Sequence, residues 1–268
     1  MRRFSLPAKS FVLLFTASAL WVRAATPQFT ITKDPQAVAV AEKALAAMGG
    51  VQALLSYQDS QATGTLTLFG GSAPVAYPIT LKCKGTQKTR VEVQKSDGTN
   101  VRIMNQGQAV VEKSDGTVVK LVTNNTLAER VNHIPLLSIL GEYQGGSIQV
   151  QYLGVTRING QNTDIIGISL VPTTDPVQGP IYASMTQTLF FVDQQTSLID
   201  KVQYTNYAEN NLSSTQTVEV YFNNYQLANG ILVPFHQTIY EDGAIDSDIA
   251  LSSVTFNVGL TDAEFALP

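Results

Sequence analysis

Residues 88–117 read KTRVEVQKSDGTNVRIMNQGQAVVEKSDGT, and they contain the clearest indication of the fold in the chain. The pentapeptide KSDGT occurs twice in it, at 95–99 and 113–117, so that the second copy begins 18 residues after the first (113 against 95). Alternating polar and apolar residues precede the first copy, as in a half-buried strand, and Asp-Gly pairs suit tight hairpin turns. Eighteen residues then correspond to two short strands and one turn near Gln106-Gly107. Both copies are predicted to mark the same end of a meander.

The same period of two recurs further along the chain, at 148–153 and 216–222. Turn dipeptides separate the predicted strands at Asn159-Gly160, Asn229-Gly230 and Asp242-Gly243. We expect roughly 11 to 13 strands, with no Pro- or Ser-rich linker between them. The loop 172–180 is the best candidate boundary, but strands are expected to resume directly after it. The hairpin tip at Asp242 is expected to present an acidic outer face with Asp246 and Asp248.

This pattern predicts a mainly β protein with a few helices. A single antiparallel sheet is expected to curve into an incomplete β-barrel covered by helices, because curvature protects the edges of so wide a sheet. Such a sheet can enclose a cavity as well as a packed core.

Two helical segments interrupt the strand pattern. Asp34 is placed to cap a helix with Pro35 at its first position, and Gly49-Gly50 is placed to end it. Its predicted buried face consists of Val38, Ala41, Leu45 and Met48. A second segment, 126–143, begins with a capping-box pattern, is kinked or ended by Pro135, and continues into an apolar run at 136–140.

The first 24 residues have the pattern of a secretory signal peptide: a basic start, an apolar run at 11–22 and small residues before a cut after Ala24. A non-cleaved anchor is the alternative. Residues 25–268 are then expected to form one domain, periplasmic or secreted, with no integral membrane span after cleavage. Cleavage would remove the four basic residues Arg2, Arg3, Lys9 and Arg23, leaving 13 Lys and Arg against 21 Asp and Glu, a net charge near −8. Such a charge disfavours nucleic acids and anionic membrane surfaces as partners.

No motif for catalysis, metal binding or cofactor binding stands out in the sequence. The two histidines, His133 and His236, have no acid or nucleophile at a motif spacing, and Cys83 is the single cysteine, so all three are predicted to be structural. Each KSDGT offers one carboxylate, too few for a calcium loop. We therefore predict no catalytic residue, no metal and no cofactor, although a carboxylate pair assembled in space stays open.

Three stretches together resemble a known superfamily: 41–66 (AEKALAAMGGVQALLSYQDSQATGTL), 191–204 leading into 220–235, and the ending 257–268 (NVGLTDAEFALP). Their order is similar to that of the periplasmic lipoprotein-sorting proteins that include LolA and LolB, in particular the outer-membrane lipoprotein-sorting-like proteins of Gram-negative bacteria. The resemblance implies an incomplete barrel whose concave apolar face is covered by helices and holds lipid or acyl groups, or senses lipoproteins. Carriers of the LolA type use an arginine in an early strand, and neither Arg90 nor Arg102 has its context. A LolB-like protein would carry a lipid on an N-terminal cysteine, and no cysteine lies near the predicted cut.

The leading hypothesis is an exported, non-enzymatic carrier or binder of lipid or lipoprotein acyl chains in the bacterial envelope. The alternative is a sensor or protein-interaction domain of the same fold that binds other envelope proteins. A hydrolase with a spatially assembled site comes third. The candidate residues for the ligand site or its lid, for which ordinary core packing is the alternative, are Leu45, Met48, Leu136, Leu137, Ile139 and Leu140.

Overall fold

The computed structural model describes residues 28–121, 142–208 and 211–268. The predicted signal peptide 1–24, the apolar run 136–140 and His133 lie outside the described residues.

Thirteen strands make up most of this part of the chain. They are β1 (Asp59–Leu68), β2 (Val75–Lys84), β3 (Lys88–Lys95), β4 (Gly98–Asn105), β5 (Gln108–Glu112), β6 (Val118–Lys120), β7 (Ile148–Ile158), β8 (Gln161–Leu170), β9 (Thr188–Asp193), β10 (Ile199–Ala208), β11 (Asn211–Ala228), β12 (Ile231–Glu241) and β13 (Ala244–Phe256). The helices are α1 (Pro35–Ala47), α2 (Gly50–Ser56), α3 (Gln178–Met185) and a C-terminal 3-10 helix (Asp262–Phe265).

All thirteen strands belong to one antiparallel sheet in the order β6-β5-β4-β3-β2-β1-β13-β12-β11-β10-β9-β8-β7. The chain therefore forms two meanders: β1 to β6 run from the middle of the sheet to one edge, and β7 to β13 run from the other edge back to the middle. Pairing of β1 with β13 joins the two meanders. Since β6 and β7 stand at opposite ends of the order, the sheet is open, and the predicted single antiparallel sheet is confirmed.

The two KSDGT segments lie at the same end of the first meander, as predicted. β3, β4 and β5 are joined by short turns, and the hydroxyl of Ser114 in the second copy donates to the carboxylate of Asp97 in the first, at 3.1 Å. The backbone N–H of Ser114 also donates to Asn100 Oδ1 at 2.9 Å. The repeat is thus a paired structural turn.

Most of the predicted hairpin turns have the backbone conformation that their sequences indicate. Both residues have positive φ at Gln106-Gly107, Asn159-Gly160, Asn229-Gly230 and Asp242-Gly243. In the two KSDGT copies only the glycine does.

A bulge at Gly64 bends the middle of the sheet. The register of β1 against β13 shifts between Thr63 and Gly64, and a Cβ on Gly64 would lie 2.3 Å from the carbonyl oxygen of Ala250. Only glycine allows the two backbones to approach so closely, so the bulge at this position requires glycine.

Helices α1 and α2 cover one part of the concave face, α1 lying against β7 and β8 and α2 against β12. As predicted, the Asp34 carboxylate caps α1 by accepting from the N–H groups of Gln36 and Ala37, with Pro35 at the first helical position. The buried side of α1 packs with the inner residues of β7–β13 in the main core.

Helix α3 corrects the sequence interpretation, because strands do not resume directly after the loop at 172–180. The Asp175 carboxylate accepts from the N–H groups of Val177 and Gln178 where the helix begins, and Pro180 falls in the first turn, where a missing N–H costs nothing. The strands on either side of α3, β8 and β9, still pair directly. The loop therefore does not divide the sheet.

The C-terminal segment is held against the outside of the first meander. The Asp59 carboxylate, 4% exposed, accepts from the N–H groups of Val258, Gly259 and Leu260 at 2.7, 3.1 and 2.9 Å. This brings Phe265 onto a second, smaller core formed with residues of β4 and β5.

Candidate ligand-binding site

The concave face of the sheet encloses a cavity of about 320 Å³. Its wall includes residues from β5 at one side and from β10 at the other, which are eight strand spacings apart in the sheet order. In a flat sheet these strands would be about 38 Å apart, at ~4.8 Å per spacing. Both can line one cavity of this size only because the sheet curls around it. This volume is near the lower end of small-molecule pockets, about 300–1,000 Å³.

Most of the cavity wall is apolar. Its apolar residues are Leu66, Leu68, Ile79, Leu81, Val91, Val93, Val101, Val111, Tyr204, Val218, Ile239 and Ile249. On β3 the lining residues Val91 and Val93 are two apart, so the alternation seen in the sequence places the apolar side chains inward. The wall can therefore remove an alkyl chain from water.

A smaller set of polar and charged side chains interrupts this wall. It consists of Asn100, Arg102, Asn206, Glu241, Asp246 and Ser247. These residues come from β4, β10, β12 and β13, and the curl of the sheet brings them to one cavity.

The surroundings of Glu241 shift the pKa of its carboxyl. Burial raises the pKa of its carboxyl, and the nearby carboxylate of Asp246 raises it further, while Arg102 acts in the opposite direction. The Gln216 side-chain amide donates to Glu241 Oε2 at 2.7 Å. The cavity therefore combines partly desolvated carboxylates with a guanidinium.

Asp246 corrects the predicted acidic outer face of the β12–β13 hairpin. Ile239 pairs with Ser247 but Tyr240 pairs with Ile245, so that Asp246 is the extra residue of a β-bulge. The bulge breaks the alternation and lets Asp246 line the cavity. Asp248, in contrast, contacts His236 and Thr238.

Asn206 and Gln237, on the concave side, have buried side-chain atoms without a hydrogen-bond partner among the described residues. These are the Oδ1 atom of Asn206, which lines the cavity, and both amide atoms of Gln237, a residue with 0% exposure. Gln237 on β12 pairs with Phe222 on β11 and with Ile249 on β13, both members of the main core. Its side chain therefore points to the concave side, as theirs do. Buried polar groups of this kind normally have partners.

The sequence did carry a signal for these polar residues, although they were not predicted. In β10, Asn206 follows Val202 and Tyr204 at the same period-two spacing, and in β12, Gln237 comes between Phe235 and Ile239. In both strands a polar residue occupies a position that alternation assigns to the apolar face.

The structure places two of the six predicted ligand or lid residues. Leu45 in α1 and Met48 at the C-cap of α1 are 3% and 0% exposed in the main core, and the cavity wall does not include them. Leu136, Leu137, Ile139 and Leu140 lie outside the described residues. Their role in a lid stays a prediction.

The described histidine and the cysteine lie apart from the cavity wall. Both ring nitrogens of His236 are engaged, Nε2 with Asp248 and Nδ1 with Asn223, each at 2.7 Å, as expected for a structural histidine. Burial raises the pKa of the half-buried Cys83 thiol. In residues 28–121, 142–208 and 211–268, no group of three or more His, Cys, Asp or Glu side chains is arranged to hold a metal ion. Within the same ranges, each helix falls short of the length and apolarity that a bilayer span requires.

Comparison with known proteins gives a likeness of fold. No protein-family model and no curated protein matches the sequence. Among solved structures, a domain assigned as an outer membrane lipoprotein-sorting protein from Vibrio parahaemolyticus is 14% identical, with a TM-score of 0.57, and the match covers 86% of this chain and 96% of that one. A LolA superfamily protein from Nitrosomonas europaea (14% identity, TM-score 0.55) and a DUF1329 family protein from Desulfovibrio piger (12%, 0.55) each match over 86% of this chain and 97% of theirs. The resemblance predicted from the sequence is therefore confirmed at the level of the fold.

Proposed function

We propose that the protein is an exported, non-enzymatic carrier or binder of an amphiphile, whose acyl chain lies in the concave cavity. The observation that carries this proposal is the cavity of about 320 Å³ with a mostly apolar wall. Burying an alkyl chain contributes about 0.8 kcal/mol per CH₂, so the apolar part of the wall can bind such a ligand without reactive groups.

The fold supports a carrier-type role. Two of the solved structures that share it carry lipoprotein-sorting or LolA names, and in this chain helices pack on the concave side of the curved sheet. A lipid or the acyl chains of a lipoprotein in the bacterial envelope is accordingly the proposed cargo. We further propose that residues 25–268 form one domain after removal of the signal peptide 1–24, since every described strand belongs to one sheet.

The direct test is to purify the protein from its own envelope and measure it by native mass spectrometry. We expect an added mass that organic solvent removes and that fragments as a lipid. A saturable, one-to-one titration with a fluorescent acyl probe should follow once the lipid is extracted. Protein that carries a stoichiometric protein partner, has no lipid and binds the probe only without saturation would contradict the proposal and favour the sensor alternative.

The predicted lid is tested separately through the apolar run at 136–140. Changing Leu137→Asp and Leu140→Asp together is expected to abolish probe binding while the β circular dichroism spectrum persists, because two carboxylates would then face the acyl chain. Unchanged affinity would contradict the lid assignment and leave the cavity proposal in place.

A further inference from the structure

The polar part of the cavity wall is rich in hydrogen-bond acceptors. Glu241 and Asp246 contribute two carboxylates, and Asn206 contributes a buried Oδ1 atom that has no partner among the described residues. The cationic group in the described wall is the guanidinium of Arg102. Two carboxylates against one guanidinium leave this region with an excess of negative charge at neutral pH.

Burial makes this excess of negative charge energetically unfavourable. A carboxylate that loses water contacts is destabilised unless a cation or donors replace them. Burial together with the Asp246 charge raises the pKa of Glu241, and the side-chain amide of Gln216 is a neutral donor. A ligand that brought a cation with several N–H donors would therefore relieve an unfavourable charge distribution.

We propose that the cavity selects amphiphiles whose headgroup carries a protonated amine over amphiphiles of equal chain length whose headgroup is a carboxylate. This inference rests on the proposed function, since it names the headgroup of the same ligand. An ammonium has three N–H donors and no acceptor. It complements the carboxylates of Glu241 and Asp246. A carboxylate headgroup would bring more acceptors and a like charge.

The amine could belong to a simple alkylamine or to an aminophospholipid headgroup, and the two sources are separable. The first arm compares dodecylamine, dodecanol and dodecanoate as competitors of a neutral fluorescent alkyl probe, below their micelle concentrations. The second arm compares a short-chain phosphatidylethanolamine with a phosphatidylglycerol of the same chains. Both arms use the full exported chain at physiological ionic strength, so that the general acidity of the protein is screened.

The matched variants are Glu241→Gln and Glu112→Gln, which remove the same charge from the same residue type. Glu112 does not line the cavity and follows the lining residue Val111 on β5, so strand alternation turns its side chain to the opposite side of the sheet. Glutamine at 241 keeps an oxygen that can accept from Gln216. Because it removes a partly desolvated charge, the variant is expected to fold.

The wild-type protein and Glu112→Gln should bind dodecylamine about tenfold or more tightly than dodecanoate, with dodecanol between them. Glu241→Gln should reduce this preference by at least about threefold. The inference would be overturned if the wild type bound dodecanoate as tightly as dodecylamine or more tightly, or if Glu241→Gln kept the full preference for the amine. Either result would leave the carrier proposal standing. If none of the five ligands competes, the proposed function itself fails. A preference in the first arm alone assigns the amine to simple alkylamines, and a preference in both assigns it to aminophospholipids as well.

Discussion

Filling the cavity from its wall should weaken acyl-chain binding without unfolding the protein. Val93 is a suitable position, because it lines the cavity and pairs with Ile79 on β2 and Asn100 on β4, which line it too. Val93→Phe adds four carbon atoms that point into the hollow. If each displaces one CH₂ of the ligand, binding weakens by about 3 kcal/mol at ~0.8 kcal/mol per CH₂, or about 200-fold in Kd.

The assay is a fluorescence titration of a long-chain acyl probe, with urea denaturation to establish that the variant is folded. Val155→Phe is the matched control, since Val155 is 53% exposed on β7 and does not line the cavity. The control should keep the wild-type Kd. A Val93→Phe variant that is folded and binds within about threefold of the wild type would refute the placement of the chain in this cavity.

Three further predictions concern stability. Burial raises the pKa of Asp200 to about 6, and the charge of Asp193 raises it further. The contribution of Asp200 to the free energy of unfolding is therefore fully present below pH ~4 and is lost as the pH rises through about 6. Asp200→Asn should remove this pH dependence and, after allowance for partial exposure, add about 1–2 kcal/mol at pH 7.5, as measured by urea denaturation at about pH 4 and at pH 7.5. Gln237→Met should raise the stability of the ligand-free protein by about 1–2 kcal/mol, because it removes two unpaired buried polar atoms, and a loss of stability in thermal denaturation would show that the amide has a partner. Asp59→Ala should lower the free energy of unfolding by about 3 kcal/mol and speed hydrogen exchange at the N–H groups of 258–260, which donate to the Asp59 carboxylate. Slow exchange there in the variant would contradict the role of Asp59 in holding the C-terminal segment.

Most of the fold could be predicted because local sequence patterns indicate its strands, turns and first helix. The KSDGT repeat with its intervening Gln106-Gly107 turn fixes a meander, and the Asp34-Pro35 cap fixes the start of α1. Helix α3 was missed because the Gly179-Pro180 pair in its first turn indicates a loop when no tertiary contact is known.

The site is harder to predict because it depends on the curl of the sheet. Arg102 and Glu241 are on strands five spacings apart in the sheet order, and only the curl of the open sheet brings the guanidinium near enough to affect the pKa of the carboxyl. Asp246 faces the cavity through a bulge that the alternating pattern does not reveal. Asn206 and Gln237 were detectable as polar residues on the apolar faces of their strands, but their missing partners are visible only in the structure.

The central claim is that the concave hollow encloses a guest molecule's hydrocarbon tail, and covalent labelling from within the hollow tests it most directly. An acyl amphiphile with a diazirine near its methyl end would be bound, irradiated and located by peptide mass spectrometry. We predict labels on the peptides that carry Leu66, Val93 and Ile249, which come from three strands around the wall. Labels confined to exposed apolar residues such as Val155 and Ile181, with none on those peptides, would contradict the claim.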